Sequence, residues 1–314
     1  MADLSAPYEV SVFRFDRKTG SGASCGGTLV SNRHVITAAH CLTNKKDPLD
    51  LHKHRVVIGY GSQIRSKQTQ VEAVDAKIFP DYLPSGQSDK YDIAVVEIKP
   101  VEFGKTVQRM AIYDGSLDPG QKLLTVGWGG VNGGKPGPNA LKGVTLVVGE
   151  PDECRKRVAE FDSSNGPRVC TLTDSTPGDG ICMGDSGSSI SIERNGKQQL
   201  VGLSSLIYFG SNMQCAGPGS MSLFTHVSYK LDFIIKSTGL TREYLLGGGT
   251  DGGRGDTQTS SGSSSKTCDS DNDNDNEPSS GSSSSSSDSD HAPTPSEATV
   301  TVTKTLWIVM TWPG

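Results

Sequence analysis

Apolar and polar positions alternate in short runs through the first three quarters of the chain, as they do in half-buried strands. Such runs predict strands at residues 8–12, 28–30, 34–37, 55–59, 93–98, 123–126, 143–148 and 199–203. Turn-forming pairs such as Asp114-Gly115 and Asn195-Gly196 lie between the runs. This rhythm favours an all-β sandwich or barrel over alternating β and α units.

One helix is predicted at the end of this β-rich part. Val227, Leu231, Ile234 and Ile235 share one helical face through their i, i+4, i+7, i+8 spacing. Gly239 follows and is a plausible helix stop. We expect the helix to pack on the outside of the β-structure.

Composition changes sharply near residue 246. From there the chain is rich in Gly, Ser, Asp and Asn, which cannot bury enough apolar surface to offset ordering entropy. We therefore predict a folded domain at 1–245 and a disordered tail at 246–314. Residues 247–314 hold ten acidic and three basic residues, a balance of −7 against −5 for the whole chain. The body, at about +2, has no concentrated basic surface, so nucleic acid is not expected as a partner.

The tail carries three further patterns. The acidic run at 269–275 lacks the glycine that a calcium loop needs, which favours a solvated spacer. Its serine-rich part suits an O-glycosylated stalk. Residues 306–310 are apolar but too few to cross a bilayer, so no membrane span is predicted, although a lipid-anchor signal remains an alternative.

Three short segments carry candidate chemistry: Thr37-Ala-Ala-His-Cys41, Asp92-Ile-Ala-Val95 and Gly184-Asp-Ser-Gly-Ser188. Taken singly, each has an ordinary structural explanation: a core histidine, a capping aspartate and a glycine turn. Their occurrence together in the order His, Asp, Ser resembles the trypsin/chymotrypsin-like serine proteases (peptidase S1). Subtilisins and α/β-hydrolases place the same residue types in other orders.

The resemblance implies a role for each group. Ser186 is the nucleophile, His40 the general base that activates it, and Asp92 the carboxylate that orients the imidazole. The backbone N–H groups of Gly184 and Ser186 form the oxyanion hole. The implied fold is all-β, with two antiparallel six-stranded barrels packed face to face and a C-terminal helix.

The chain has seven cysteines, and none is in a Cys-x-x-Cys pair that would indicate zinc or redox chemistry. We expect no metal and no cofactor. Six cysteines lie in the body, an even number that suggests three disulfides and an oxidising, extracellular compartment. The resemblance pairs them as Cys25–Cys41, Cys154–Cys170 and Cys182–Cys215. Cys268 is left over in the tail.

The resemblance also assigns a primary specificity pocket. Gly180, six residues before the nucleophile, lies at its base, and Ile207 and Ser222 form its walls. Ser205 belongs to the strand that pairs with extended substrate and also hydrogen-bonds Asp92. A β-branched wall at Ile207 predicts cleavage after small aliphatic residues such as Ala or Val.

The start of the chain departs from the family pattern. Active members begin with a freed Ile-Val-Gly-Gly terminus, whose amino group pairs with the aspartate before the nucleophile, here Asp185. Residues 1–7 contain no such segment and no signal peptide. We therefore expect a sequence truncated at its start, and a zymogen-like or weakly active polypeptide because Asp185 lacks its cation.

The predicted function is hydrolysis of peptide bonds in protein or peptide substrates by a monomeric, secreted serine endopeptidase. The alternative is a silent homologue that acts as a binding or inhibitor protein. Labelling by a serine-directed fluorophosphonate separates the two. A scaffold with a disordered tail would explain the tail but not the three catalytic segments.

Overall fold

The computed structural model describes residues 5–43, 49–83, 89–130, 137–175, 178–210 and 214–248. The described strands are β1 (Glu9–Asp16), β2 (Gly22–Leu29), β3 (His34–Thr37), β4 (His54–Tyr60), β5 (Thr69–Ile78), β6 (Ala94–Ile98), β7 (Ala111–Ile112), β8 (Lys122–Gly127), β9 (Lys142–Val147), β10 (Arg168–Leu172), β11 (Ser189–Arg194), β12 (Lys197–Tyr208) and β13 (Met221–His226). The α-helices are α1 (Pro151–Arg155), α2 (Leu231–Thr238) and α3 (Arg242–Leu245).

The first six strands close into an antiparallel barrel in the order β1-β2-β3-β6-β5-β4. Its interior is filled by side chains that point inward at alternate positions, including Val10, Val12, Ile58 and Val96, each at most 1% exposed. The register between β3 and β6 pairs Thr37 with Ala94. This pairing brings the chain just after β3 close to the chain just before β6.

The second sheet has the order β10-β13-β12-β11-β8-β9, and the short β7 adds a parallel partner to β12. It curls until a single bridge, Val148 to Thr171, joins its two edge regions. The predicted all-β architecture with two barrels is confirmed. The second barrel differs in detail, because it is a curled sheet that carries a seventh strand.

A shared apolar cluster lies between the two sheets. It joins Val30 and Ile36 of the first barrel region to Val126 and Leu200 of the second. Burial of apolar surface stabilises the folded state by about 25 cal/mol per Å². Because this cluster draws on both sheets, its burial also stabilises the packing of one sheet against the other. Site residues from the two sheets are held in one rigid frame as a result.

The predicted helix is confirmed as α2. Leu231 and Ile234 are buried in the shared cluster, and Ile235 packs against it. Gly239 ends the helix in the left-handed region at φ 70°, and its N–H donates to Ile235 O at 2.8 Å. Val227 is also buried but lies in the 3₁₀ turn Val227–Lys230 that precedes α2.

The tail was predicted at 246–314, and its part from residue 249 onward, with Cys268, lies outside the described residues. Leu246 is described and packs against the shared cluster. In the portions of the chain that are described, no helix combines the length and the apolar character needed to traverse a bilayer.

Candidate active site

His40 lies in the 3₁₀ turn Ala39–Cys41, directly after β3. The disulfide Cys25–Cys41 ties this turn to β2, and Thr43 Oγ1 donates to Ala39 O at 3.2 Å. The imidazole is about one-third exposed, with a side-chain exposure of 33%. It therefore combines a fixed backbone with access to a ligand.

Asp92 precedes β6 and is almost completely buried, at 2% exposure. Its Oδ2 lies 2.6 Å from His40 Nδ1 and accepts a 2.6 Å hydrogen bond from Ser205 Oγ. Its Oδ1 accepts the backbone N–H of His40 at 2.8 Å. Thr225 Oγ1 donates to the Asp92 carbonyl at 3.1 Å, so the second sheet also holds this residue.

These contacts set the charge state of the pair. Burial by itself disfavours the imidazolium, but the charge of Asp92 and its hydrogen bond outweigh it and raise the pKa of His40. Burial likewise works against the Asp92 carboxylate, but His40 and the donated hydrogen bonds hold the pKa of Asp92 below its usual value. The arrangement favours an ionised Asp92 that accepts the proton of Nδ1, which leaves Nε2 to act as a base.

Ser186 lies in the loop before β11, where Gly184 and Gly187 take the left-handed φ values 96° and 76°. A Cβ at Gly187 would overlap Thr37 Oγ1 and lie 3.0 Å from Ala38 N, so the loop packs against the chain that leads into His40. The Gly26 N–H donates to Ser186 O at 2.8 Å. These contacts bring the nucleophile candidate to the junction of the sheets.

No hydrogen bond joins the Ser186 hydroxyl to the His40 ring within the described part of the chain. Catalytic hydrogen bonds are often long before substrate binds, so this geometry is compatible with a serine nucleophile. The N–H groups of Gly184 and Ser186 have no acceptor within the same described residues. Both donors are therefore available to an external oxygen.

Asp185 points away from Ser186. Its Oδ1 accepts the N–H of Gly129 at 2.7 Å, and its Oδ2 accepts the N–H of Cys182 at 2.9 Å. Burial raises its pKa, against these two hydrogen bonds and the charge of Arg65. The sequence predicted that Asp185 lacks a cationic partner from the chain's start, of which residues 1–4 lie outside the described residues. Among the described residues, the cation that lowers its pKa is Arg65.

The three disulfides are Cys25–Cys41, Cys154–Cys170 and Cys182–Cys215, the pairs that the resemblance implies. The last of them links the loop before the nucleophile to the chain after β12.

The residues assigned to the specificity pocket come from a loop and from two adjacent strands. Ile207 and Ser222 are cross-strand partners on β12 and β13. A Cβ on Gly180 would lie 3.1 Å from Ala216 Cβ, next to Cys215 in the chain. Ile207 is partly buried and packs against the core of the second sheet. Ser205 lies apart from this set, with its hydroxyl on Asp92.

Sequence reasoning missed Thr225, Thr37 and Glu9. Thr37 Oγ1 donates to Gly26 O at 2.7 Å and so braces the strand that holds Ser186. Glu9 is 4% exposed and contacts the chain after the nucleophile. A buried acid inside the apolar pattern of β1 is the one signal by which Glu9 could have been found.

One group of described residues has a spacing suitable for a metal: Cys25, His40 and Cys41, with candidate atoms within 4.8 Å of one another. The sulfur atoms of Cys25 and Cys41 are bonded to each other in a disulfide. A cysteine binds a metal as the thiolate, which a disulfide does not provide. This group therefore lacks two of its three ligands.

A family model described as Trypsin matches residues 2–234. The chain belongs to the trypsin family. The match includes both sheets, the His40–Asp92 pair and Ser186, and this family relation identifies the chain as a serine protease homologue. The order of the three short segments had suggested the same family by resemblance.

Curated relatives agree with the family assignment. Chymotrypsin-2 of Vespa crabro is 31% identical over 233 residues, which cover 74% of this chain and 94% of the relative. Serine protease 1 of Drosophila melanogaster is 28% identical, over 69% of this chain and 76% of the relative. The mouse relative named Transmembrane protease serine 11G is 26% identical, and this chain spans half of its length.

A solved structure titled as a collagenase is similar to the chain with a TM-score of 0.60. The similarity covers 75% of this chain and 94% of that structure at 22% sequence identity. At this level of identity the comparison bears on the fold, which is trypsin-like.

Proposed function

We propose that this protein is a serine endopeptidase in which Ser186 attacks the peptide carbonyl and forms an acyl-enzyme. The proposal is carried by the hydrogen-bonded pair of His40 and Asp92. A serine hydroxyl needs a base at neutral pH, and Nε2 of His40 can accept its proton because Nδ1 is engaged by Asp92. Nε2 itself has a long contact of 3.9 Å with Cys41 Sγ, which a closer hydroxyl would replace. The loop of Ser186 packs directly against the chain that leads into His40.

The proposed reaction follows the charge distribution of the site. His40 takes the proton of Ser186 as the hydroxyl attacks, and buried Asp92 stabilises the imidazolium. The N–H groups of Gly184 and Ser186 then stabilise the oxyanion. His40 next returns the proton to the leaving amine, and water hydrolyses the acyl-enzyme by the same route in reverse.

For the substrate we propose a preference for Ala or Val before the cleaved bond. Gly180 offers no charge at the base of the assigned pocket, which disfavours Arg and Lys. Ile207 and Ser222 are paired on the adjacent strands β12 and β13, and we assign the branched side chain of Ile207 to a wall of the pocket, where it would leave room only for a small side chain. A peptide panel in which cleavage after Arg or Lys is fastest would refute this preference.

We further propose that the enzyme acts as an extracellular monomer on protein or peptide substrates. Three disulfides in the body support an oxidising compartment. The balance of about +2 in the body supports the absence of nucleic acid as a partner. The proposed domain division remains 1–245 for the protease and 246–314 for the tail.

Fluorophosphonate labelling tests the proposed function. The wild-type protein is expected to be labelled, and Ser186→Ala to abolish labelling and to lower peptide turnover by about 10⁶-fold. Ser116→Ala makes the same chemical change at an exposed site and should leave the labelling rate within twofold. A folded wild-type protein that resists labelling would instead support the silent-homologue alternative.

A further inference from the structure

A second buried carboxyl group lies beside the proposed active site. Glu9, in β1 of the first barrel, is 4% exposed. Its Oε2 accepts the hydroxyl of Ser189 at 2.8 Å and the N–H of Ser189 at 3.4 Å. Ser189 is three residues after the nucleophile and begins β11 of the second sheet. One acid thus fastens the chain after Ser186 to the opposite barrel.

The other oxygen of Glu9 lies next to Ser188. A Cβ at Gly26 would overlap Ser188 Oγ and lie 2.9 Å from Glu9 Oε1, so both atoms border this glycine. The same Gly26 donates its N–H to Ser186 O at 2.8 Å. Gly26 of β2 therefore lies against the carboxyl group of Glu9 and also holds the carbonyl of the nucleophile.

Asp185 lies on the far side of Ser188. A Cβ at Gly127 would overlap Asp185 Oδ1 and lie 3.3 Å from Ser188 Oγ. Two acids from different barrels consequently flank one serine, two residues after the nucleophile. Two ionised carboxylates in such a setting repel each other strongly, because the surroundings are buried.

We propose that Glu9 is a positioning residue for the active site proposed above: its neutral carboxyl group holds Ser188 and Ser189 in place, and its ionisation beside Asp185 loosens the chain that carries Ser186. The inference rests on the proposed function for its effect on activity. Oε1 of Glu9 and Ser188 Oγ have no hydrogen-bond partner among the described residues, so a neutral carboxyl group can donate to Ser188 while Oε2 still accepts from Ser189. The ionised form can only accept, and it adds a second negative charge beside Asp185.

The surrounding charges agree with a neutral Glu9 at pH 7. Burial raises the pKa of Glu9 to about 8, against the hydrogen bonds from Ser189, and the charge of Asp185 acts in the same direction as burial. The other titratable groups on this side are Tyr8, next in the chain, and Arg65, whose charge acts on Asp185. Glu9 and Lys105 line a cavity of about 80 Å³, through which the carboxyl group can exchange its proton.

The test is the pH dependence of the fluorophosphonate labelling rate. In the wild type, the rate is expected to fall above about pH 8, by about tenfold per pH unit once Glu9 ionises. Glu9→Gln keeps the shape and a neutral amide, and its rate should stay within twofold up to about pH 9.5. Glu102→Gln makes the same change at an exposed position and should retain the wild-type decline. An unchanged decline in Glu9→Gln overturns the proposal.

A second variant covers the case in which Glu9→Gln does not fold. Ser189→Ala removes a donor that favours the ionised form, so the decline should move upward by about one pH unit. A merely structural role for Glu9 would lower the rate at all pH values without moving the decline. A decline at the wild-type position in Ser189→Ala therefore also overturns the proposal.

Thermal unfolding separates failure of this inference from failure of the proposed function. A wild-type protein that is not labelled at any pH refutes the serine endopeptidase. The Glu9 inference then still requires that the unfolding temperature of the wild type decrease as pH rises from about 6.5 to about 8, above the range in which His226 titrates, since folded Glu9 binds its proton more tightly than unfolded Glu9. Glu9→Gln should lack that decrease, and an equal decrease in both proteins overturns the inference.

Discussion

Replacing Asp92 by Asn is the sharpest test of the proposed triad, because both oxygens of the Asp92 carboxylate act as hydrogen-bond acceptors. Oδ1 accepts the backbone N–H of His40, and Oδ2 accepts from Ser205 and lies against Nδ1. An amide has one oxygen and one NH₂ group, so it can replace only one of these acceptors.

The two orientations of the introduced amide differ in their consequences. With the NH₂ group at the Oδ1 position, it faces the N–H of His40, donor against donor, in a buried site. This costs about 3 kcal/mol, or about a hundredfold in population. With the NH₂ group at the Oδ2 position, Nδ1 must accept and the proton moves to Nε2, since the Ser205 hydroxyl can reverse. His40 then cannot take a proton from Ser186.

The expected loss in the rate of labelling is about 10⁴-fold, as for this exchange in other Ser-His-Asp triads. The cost of the strained orientation supplies about half of this loss on a logarithmic scale. Loss of the charge that stabilises the imidazolium supplies the rest. Without Asp92, the remaining influence on His40 is burial, so the pKa of His40 should move below its usual value.

The assay is the second-order rate of fluorophosphonate labelling between pH 6 and 9, with thermal unfolding measured in parallel. Asp118→Asn, the same change at an exposed position, should leave the rate within twofold. A folded Asp92→Asn protein that is labelled within tenfold of the wild-type rate would show that Asp92 does not control the tautomer of His40.

Three further predictions concern stability and specificity. Replacing both Cys182 and Cys215 by Ala should lower the free energy of unfolding by about 4 kcal/mol, since the bridge closes 33 residues of chain. A denaturant titration that shows no loss of unfolding free energy would contradict this prediction. Ile207→Gly should increase kcat/KM about 10- to 200-fold for Phe relative to Ala before the cleaved bond, and an unchanged ratio in a peptide panel places Ile207 outside the pocket. Burial lowers the pKa of His226 to about 4, so its folded state binds a proton less readily than the unfolded one. Stability should therefore fall by about 3 kcal/mol between pH 6.5 and 4, a fall that His226→Gln should lessen in acid unfolding curves.

Most strands and the helix could be predicted because their side chains repeat with the period of the element. The strands that were missed or cut short show where this reasoning stops. In β5 the register shifts between Ala73 and Asp75, and in β12 it shifts between Ser204 and Leu206. A bulge moves later side chains to the other face, so the period of two is lost although the strand continues. The predicted strand at 199–203 accordingly ended before the bulge, whereas β12 runs to Tyr208.

The residues of the candidate site also divide into those that local sequence reveals and those that only the tertiary structure reveals. His40, Asp92 and Ser186 are recognisable in the sequence because local segments around them carry the signal, and Gly239 is recognisable because a helix end requires a left-handed residue. Two of the partners that hold them, Ser205 and the Cys25–Cys41 bridge, were implied by the family resemblance. Others were decided by the tertiary structure alone. Thr225 reaches the Asp92 carbonyl across 133 positions of sequence, and Glu9 reaches Ser189 across 180. Local patterns carry no information about such contacts, because the register and packing of two separate sheets determine which buried polar groups meet.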